Sequence, residues 1–140
     1  MALKNYTTSI DVTKTLGEIQ AKLVKAGANA VLNEYDDQGY IVALSFKIRL
    51  NEQDISFRLP SDWRPVLQIL EEDCKVPRRL CTQEQALRTS WRIIKDWIDA
   101  QLAIIETRMV KTEQVFLPYA VGKDGKTVYE YVLEGKLLLE

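Results

Sequence analysis

One stretch constrains this chain more than any other: Thr82 to Val110, TQEQALRTSWRIIKDWIDAQLAIIETRMV, which contains neither proline nor glycine. Thr82 followed by Gln85 fits a capping box, in which the hydroxyl takes an early amide and the side-chain amide reaches back. The spacing predicts a helix over about 83–110, on the order of 40 Å long at 1.5 Å per residue. Leu87, Trp91, Ile94, Ile98, Leu102, Ile105 and Met109 recur at three- and four-residue steps on one face. Ala86, Ser90, Ile93, Trp97, Ala100 and Ile104 form a second, adjacent face. Together they cover roughly 200° of the wheel, about twice what packing on one layer needs. Such a helix must lie between two layers. Either a second subunit or the folded-back C-terminal segment can supply the second layer. The first reading makes Ile93, Trp97, Ala100 and Ile104 a homo-oligomer interface.

The remaining arc is polar and basic at its start. Arg88, Arg92 and Lys95 align at i, i+4 and i+7, with Trp91 at their edge and Asp99 one turn on. From Lys75 to Lys95 the chain has six basic residues, Arg78 and Arg79 among them, against one acid, Glu84. An ordinary solvated face, with Arg92 paired to Asp96 or Asp99, explains the pattern as well as a ligand site does. Read as a site, it would hold phosphates in guanidinium forks and stack a base on the indole.

The totals narrow the function classes. At 140 residues the chain has room for one domain and a real core. Its content, 46% hydrophobic and 28% charged, excludes wholesale disorder. A pI near 5.6 argues against sequence-blind coating of DNA. Histidine is absent, which removes Ser-His-Asp and Cys-His catalysis and histidine metal sites. The two cysteines, Cys74 and Cys81, are too few to close a zinc site and read as free thiols. No catalytic group, metal or cofactor is therefore expected. Met1-Ala-Leu-Lys opens without an apolar run, so neither a signal peptide nor a membrane span is expected, and a cytoplasmic location is.

In chain order, Tyr6–Ile10 is β-prone and reads as a first strand. Asp11 or Thr13 caps a helix to about Ala26, with Leu16, Ile19, Leu23 and Ala26 buried and Gly27 as its stop. Residues 30–35 read as a strand and Asp36–Gly39 as a turn with positive φ at the glycine. In the next strand Tyr40, Val42, Leu44, Phe46, Ile48 and Leu50 alternate with a second set of residues, which predicts one buried face. After the turn Asn51–Asp54, Ile55, Phe57 and Leu59 face inward. Lys47, Arg49 and Arg58 lie on the polar face, where solvation is the simplest reading. Arg58, at the sheet's end, is the one placed to meet a ligand or subunit. Ser61 caps a short helix with Pro65 in its first turn and Trp63, Val66, Leu67 and Leu70 inward. Glu71, Glu72 and Asp73 point different ways and make no shared pocket. Beyond the long helix, Thr112–Phe116 adds a turn ended by Leu117-Pro118-Tyr119. Gly122–Gly125 is a turn and not a P-loop. Thr127 with Glu130 is a second capping box, for a helix from Val128 to about Leu138 anchored by Tyr131, Val132 and Leu138. A strand over 127–133 is the alternative.

The expected fold class is α+β: a small antiparallel β-meander packed against helices, with one long helix in the C-terminal half. The expected organisation is a single domain, 1–140, with a β-α-β-β-β-α part at 1–74 and a helical part at 82–140.

Several segments carry a resemblance: Lys4-Asn5-Tyr6-Thr7-Thr8, Phe57-Arg58-Leu59-Pro60, the helix core around Trp91-Arg92-Ile93-Ile94-Lys95-Asp96-Trp97, and Phe116-Leu117-Pro118-Tyr119. Over nearly its whole length the chain resembles small proteins encoded by phages and prophages of Gram-positive bacteria. The resemblance implies an accessory protein acting in the bacterial cytoplasm and brings no active site with it.

Three functions fit these residues. The first is a non-enzymatic homo-oligomer binding a small nucleotide-like anion through Arg58, Arg88, Trp91, Arg92 and Lys95. It would sequester a cyclic-nucleotide immune signal as an anti-defence protein. The second is binding of single-stranded nucleic acid in a phage replication or recombination module, with the same residues lining an open groove. The third is a protein–protein adaptor anchored by Ile93 and Trp97, in which the basic face is irrelevant.

Overall fold

The structure, a computed structural model, describes residues 2–135. The chain is α+β and resolves into two compact units, one of Met1–Lys22 with Ser61–Ala100 and one of Leu23–Pro60 with Gln101–Glu140. The boundaries differ from the expected parts at 1–74 and 82–140. Each unit draws on both halves of the sequence, and helices α1 (Val12–Lys25) and α3 (Gln83–Glu106) contribute to both.

In the first unit, helix α2 (Trp63–Glu72) sets Trp63, Val66, Leu67 and Leu70 toward one core, as its spacing predicts. Leu70, Val76 and Ala86 are that core's buried centre, with Leu3, Tyr6, Leu80 and Cys81 packed around them. The cap of α2 is Asp62, not Ser61: the Asp62 carboxylate accepts from the Arg64 amide at 3.1 Å. The Ser61 hydroxyl instead meets Ser90 Oγ at 3.4 Å. A 3₁₀ turn, Arg78–Leu80, leads into α3.

Helix α3 ends at Glu106, about one turn earlier than predicted. Arg108 takes φ +67° and its amide returns to Ile105 O at 2.9 Å, closing the helix with a left-handed residue. Arginine there gives no warning in sequence. At the other end Thr82 Oγ1 accepts from the Gln85 amide at 3.1 Å, so half of the expected capping box forms. The Gln85 side chain does not reach back, because the amino-terminal segment engages it.

That segment is not a strand. The Tyr6 amide donates to Leu3 O and the Thr8 amide to Asn5 O, with Asn5 at φ +65°, so residues 3–8 turn on themselves. Their carbonyls are taken by α3: Gln85 Nε2 donates to Tyr6 O (2.8 Å) and Thr8 O (2.9 Å), and Thr89 Oγ1 to Asn5 O (3.3 Å). β-propensity loses to these side-chain bonds.

The second unit holds an antiparallel meander, order β1-β2-β3, of Ala28–Tyr35, Ile41–Leu50 and Gln53–Pro60. Asp36 Oδ1 accepts from the amides of Gln38 and Tyr40, and Gly39 supplies φ +85° for the β1–β2 turn. The β2–β3 turn is tighter than the expected four residues. Leu50 pairs with Gln53 across Asn51 and Glu52, both at positive φ, which is a type I′ hairpin. Leu44, Phe46 and Ile48 are buried as predicted, but so are Ile41 and Ala43, rather than Tyr40 and Val42. The β1–β2 register slips by one between Glu34 and Tyr35, skipping Val42, and the alternation breaks there. Ala26, expected on the buried face of α1, is exposed beyond its end; Leu16, Ile19 and Leu23 are buried.

Phe46 stacks on Phe57 with centroids 5.2 Å apart, and Phe116 meets Phe46 edge-on at 5.3 Å. Helix α4 (Thr112–Phe116) delivers that ring. The 3₁₀ turn Leu117–Tyr119 then brings the chain beside β3, where Ala120 bridges Phe57 and the Val121 amide donates to Ser56 O at 2.8 Å. The Thr127–Glu130 capping box forms in both directions and starts helix α5 (Val128–Leu133). The strand alternative for this segment does not form; Leu138 lies outside the described residues. Among the described residues no helix is long and apolar enough to cross a membrane.

Candidate functional site

The basic arc of α3 faces α1 within the first unit. Arg92 Nη1 donates to Glu18 Oε2 and, at 3.4 Å, to Thr15 Oγ1. Lys22 pairs with Asp99. These partners are 77, 74 and 77 residues apart (15–92, 18–92, 22–99), so α1 and α3 run parallel along this seam. Thr15, Glu18 and Lys22, at i, i+3 and i+7, share the face of α1 that the seam requires.

Lys95 Nζ lies 2.8 Å from Asp99 Oδ2 and 3.8 Å from Asp96 Oδ1. Asp96 Oδ2 accepts from Asn5 Nδ2 at 2.9 Å and lies 3.5 Å from Lys4 Nζ. The bond from Asn5 is the main reason that the Asp96 carboxyl titrates below the usual range; Lys4 and Lys95 add to it against the opposing effect of burial. For Asp99 burial is the largest single effect and pushes upward, but the bonds from Lys22 and Lys95 together outweigh it and hold the pKa low. Lys4, Lys95 and Lys22 thus form one chain of ion pairs through Asp96 and Asp99, and Arg92 with Glu18 forms a separate pair on the same seam.

Arg92 and Lys95 side chains are only 14% and 18% exposed, and both are committed to protein carboxylates. The partner of Arg92 is Glu18, not Asp96 or Asp99. Arg88 donates to Gln85 Oε1 from both Nε and Nη2 and meets no carboxylate among the described residues. Trp91 is fully buried, so its indole cannot serve as the expected stacking platform; its Nε1 has no hydrogen-bond partner among the described residues. Helical position 91 points into the core, as its place on the apolar face with Leu87 and Ile98 requires, and 95, 88 and 92 all lie to one side of it around the axis, at about 40°, 60° and 100°. Arg58 belongs to the second unit. It sits on β3 opposite Ser45, with its Nε 2.9 Å from Glu34 Oε2 on β1, and is not part of the α3 cluster.

Ile93 and Trp97 are half-buried, and Ala100 and Ile104 are exposed. Gln85 is expected only as a capping residue, and nothing in the sequence singles out Thr15, Asn5 or Glu18 as partners of the basic arc. A buried glutamine and a buried threonine within apolar faces were the available signals. Two open hollows of the first unit lie elsewhere. One of about 350 Å³ is lined by Leu3, Ile69, Glu72, Asp73 and Lys75, and one of about 270 Å³ by Glu71, Arg78 and Cys81. Among the described residues no group of three or more Cys, Asp and Glu side chains is placed to hold a metal ion, and both cysteines are free thiols. Comparison with protein-family models, curated proteins and solved structures finds no match to this chain.

Proposed function

We propose that this chain is a non-catalytic protein-interaction module whose second unit supplies a contact surface. The observation that carries this reading is the outward face of α5. Tyr129, Val132 and Leu133, at i, i+3 and i+4, all stand open to solvent, with Leu133 68% exposed. The helix is not loosely held: its capping box is complete and the Val128 amide donates to Ala120 O at 2.9 Å. A fixed helix that presents only apolar side chains on one face suits a groove on another protein. The lack of histidine agrees with a role that needs no proton shuttle.

The two nucleotide-binding readings draw less support from this geometry. A phosphate would have to displace Glu18 from Arg92 and Asp99 from Lys95, and the Trp91 indole, being buried, could not stack on its base. Arg88 is the one candidate on α3 whose charge meets only a neutral acceptor.

A photo-crosslinking amino acid at position 129 tests the proposal in cells, with one at the exposed Lys123 as control. A discrete adduct with another protein at 129, absent at 123, is expected. No adduct at 129, together with saturable binding of a cyclic dinucleotide or a short single strand that Arg88→Ala abolishes, would return the function to α3.

A further inference from the structure

We infer that the outer edge of β1 is a self-association edge, which pairs antiparallel with β1 of a second copy of this chain. The sheet has two edges, and they differ. That of β3 is engaged by the 120–121 segment, through the Phe57–Ala120 bridge and the bond from the Val121 amide to Ser56 O. That of β1 has no ladder partner among the described residues.

Proteins guard such edges with lysine, proline or bulges. β1, Ala-Asn-Ala-Val-Leu-Asn-Glu-Tyr, has no lysine, arginine or proline. Bulges lie only at its ends, between Ala28 and Ala30 and between Glu34 and Tyr35, which leaves 30–34 as a regular stretch. Leu32 at its centre is 62% exposed and Tyr35 56%.

The occupant follows from symmetry and charge. Antiparallel pairing of two identical 30–34 stretches puts the two-fold axis through Leu32. Leu32 then faces its own copy, and Glu34 faces Ala30. The strand's one charge, Glu34, is already bonded by Arg58 at 2.9 Å, so no like charges meet across the axis. One free edge per copy closes the assembly at two, with a continuous sheet of six strands, β3-β2-β1-β1-β2-β3.

Sedimentation of the full chain over a concentration series tests this, and the expected species is a dimer. Leu32→Lys should shift it to monomer mass while far-UV circular dichroism stays unchanged and Tm loses its dependence on protein concentration. A second variant does not depend on that substitution being tolerated. In a background with Cys74 and Cys81 changed to serine, Leu32→Cys should form an intermolecular disulfide on mild oxidation, because residues opposed across an antiparallel ladder have Cα atoms about 4.5–5.5 Å apart. Leu117→Cys, also exposed, should not. A monomer at every concentration would overturn the inference, even if the edge instead takes a strand from a different protein. So would a dimer indifferent to Leu32→Lys in which position 32 fails to cross-link.

Discussion

Arg88 closes on Gln85: its Nε and Nη2 both donate to the Gln85 Oε1, at 3.1 and 2.8 Å. The other end of the same amide donates to Tyr6 O and Thr8 O, so a nearly buried side chain has all four hydrogen-bonding positions used. Gln85 therefore joins the turned amino-terminal segment to the start of the basic arc. Gln85→Ala should lower unfolding free energy by roughly 2–3 kcal/mol in urea denaturation, since it strands acceptors that water reaches poorly. Gln85→Met, which keeps the volume and drops the bonds, should cost nearly as much. A methionine variant as stable as the parent would mean that packing, not hydrogen bonding, sets the role of this residue.

Two positions adopt left-handed backbone with a side chain where glycine fits better. Glu52 is the second central residue of the β2–β3 turn at φ +65°, and Arg108 ends α3 at φ +67°. Asn-Gly is the preferred pair for this turn, and glycine the preferred residue at such a helix end. Glu52→Gly and Arg108→Gly should each add about 0.5–1 kcal/mol, part of the relief being offset by the freer unfolded chain. Thermal melts should show each variant a few degrees above the parent; a lower Tm would contradict the turn geometry.

Periodicity made the meander, the inner face of α2 and the long helix legible, because each depends on spacing along one segment. The capping box at Thr127 and Glu130 was legible for the same reason. What escaped depended on distant partners. Tyr6–Ile10 has the composition of a strand, but Gln85, some eighty residues away, takes the carbonyls of Tyr6 and Thr8, and Thr89 that of the preceding Asn5. The end of α3 rests on a left-handed arginine, which no residue preference predicts. Within the site the alignment of Arg88, Arg92 and Lys95 was visible, whereas Glu18 as the partner of Arg92 required knowing that α1 runs parallel to α3. Trp91 is buried on the apolar face that its spacing assigns; only its expected second role, as a stacking surface at the rim of the basic arc, fails, because a wide apolar arc blurs the border between core and rim.

The seam carboxylates predict an acid response. Asp96 titrates low chiefly through the Asn5 bond, and Asp99 through Lys22 and Lys95 against its burial. A depressed folded-state pKa means that the unfolded chain takes up the proton first. The stabilisation is therefore complete above the ordinary aspartate value of about 3.9 and is lost as pH falls through the lower folded values. Asp96→Asn with Asp99→Asn should flatten the fall in urea midpoint between about pH 5 and pH 2 without abolishing it, because Asp62, held low by the Arg64 side chain, remains. Equal slopes in parent and variant would remove these two residues from the acid response.

Trp91 should behave as a core residue. Trp91→Ala is expected to cost about 3–5 kcal/mol, the range for emptying a large buried site. Trp91→Phe should cost much less, since it also removes an indole N–H that has no partner among the described residues. A tolerated alanine would place the ring at the surface, where stacking on a ligand is open to it.

The claim on which the reading of α3 turns is that its cations are structural. A double-mutant cycle in urea on Arg92→Ala and Glu18→Ala tests this most directly, because Arg92 is the least exposed cation of the seam. The structure predicts that Arg92→Ala alone destabilises by roughly 1–3 kcal/mol and that the pair couples by about 1–2 kcal/mol, less than a fully buried pair since Glu18 is a third exposed. An Arg92→Ala protein as stable as the parent, with coupling indistinguishable from zero, would contradict it and leave that guanidinium available to a ligand.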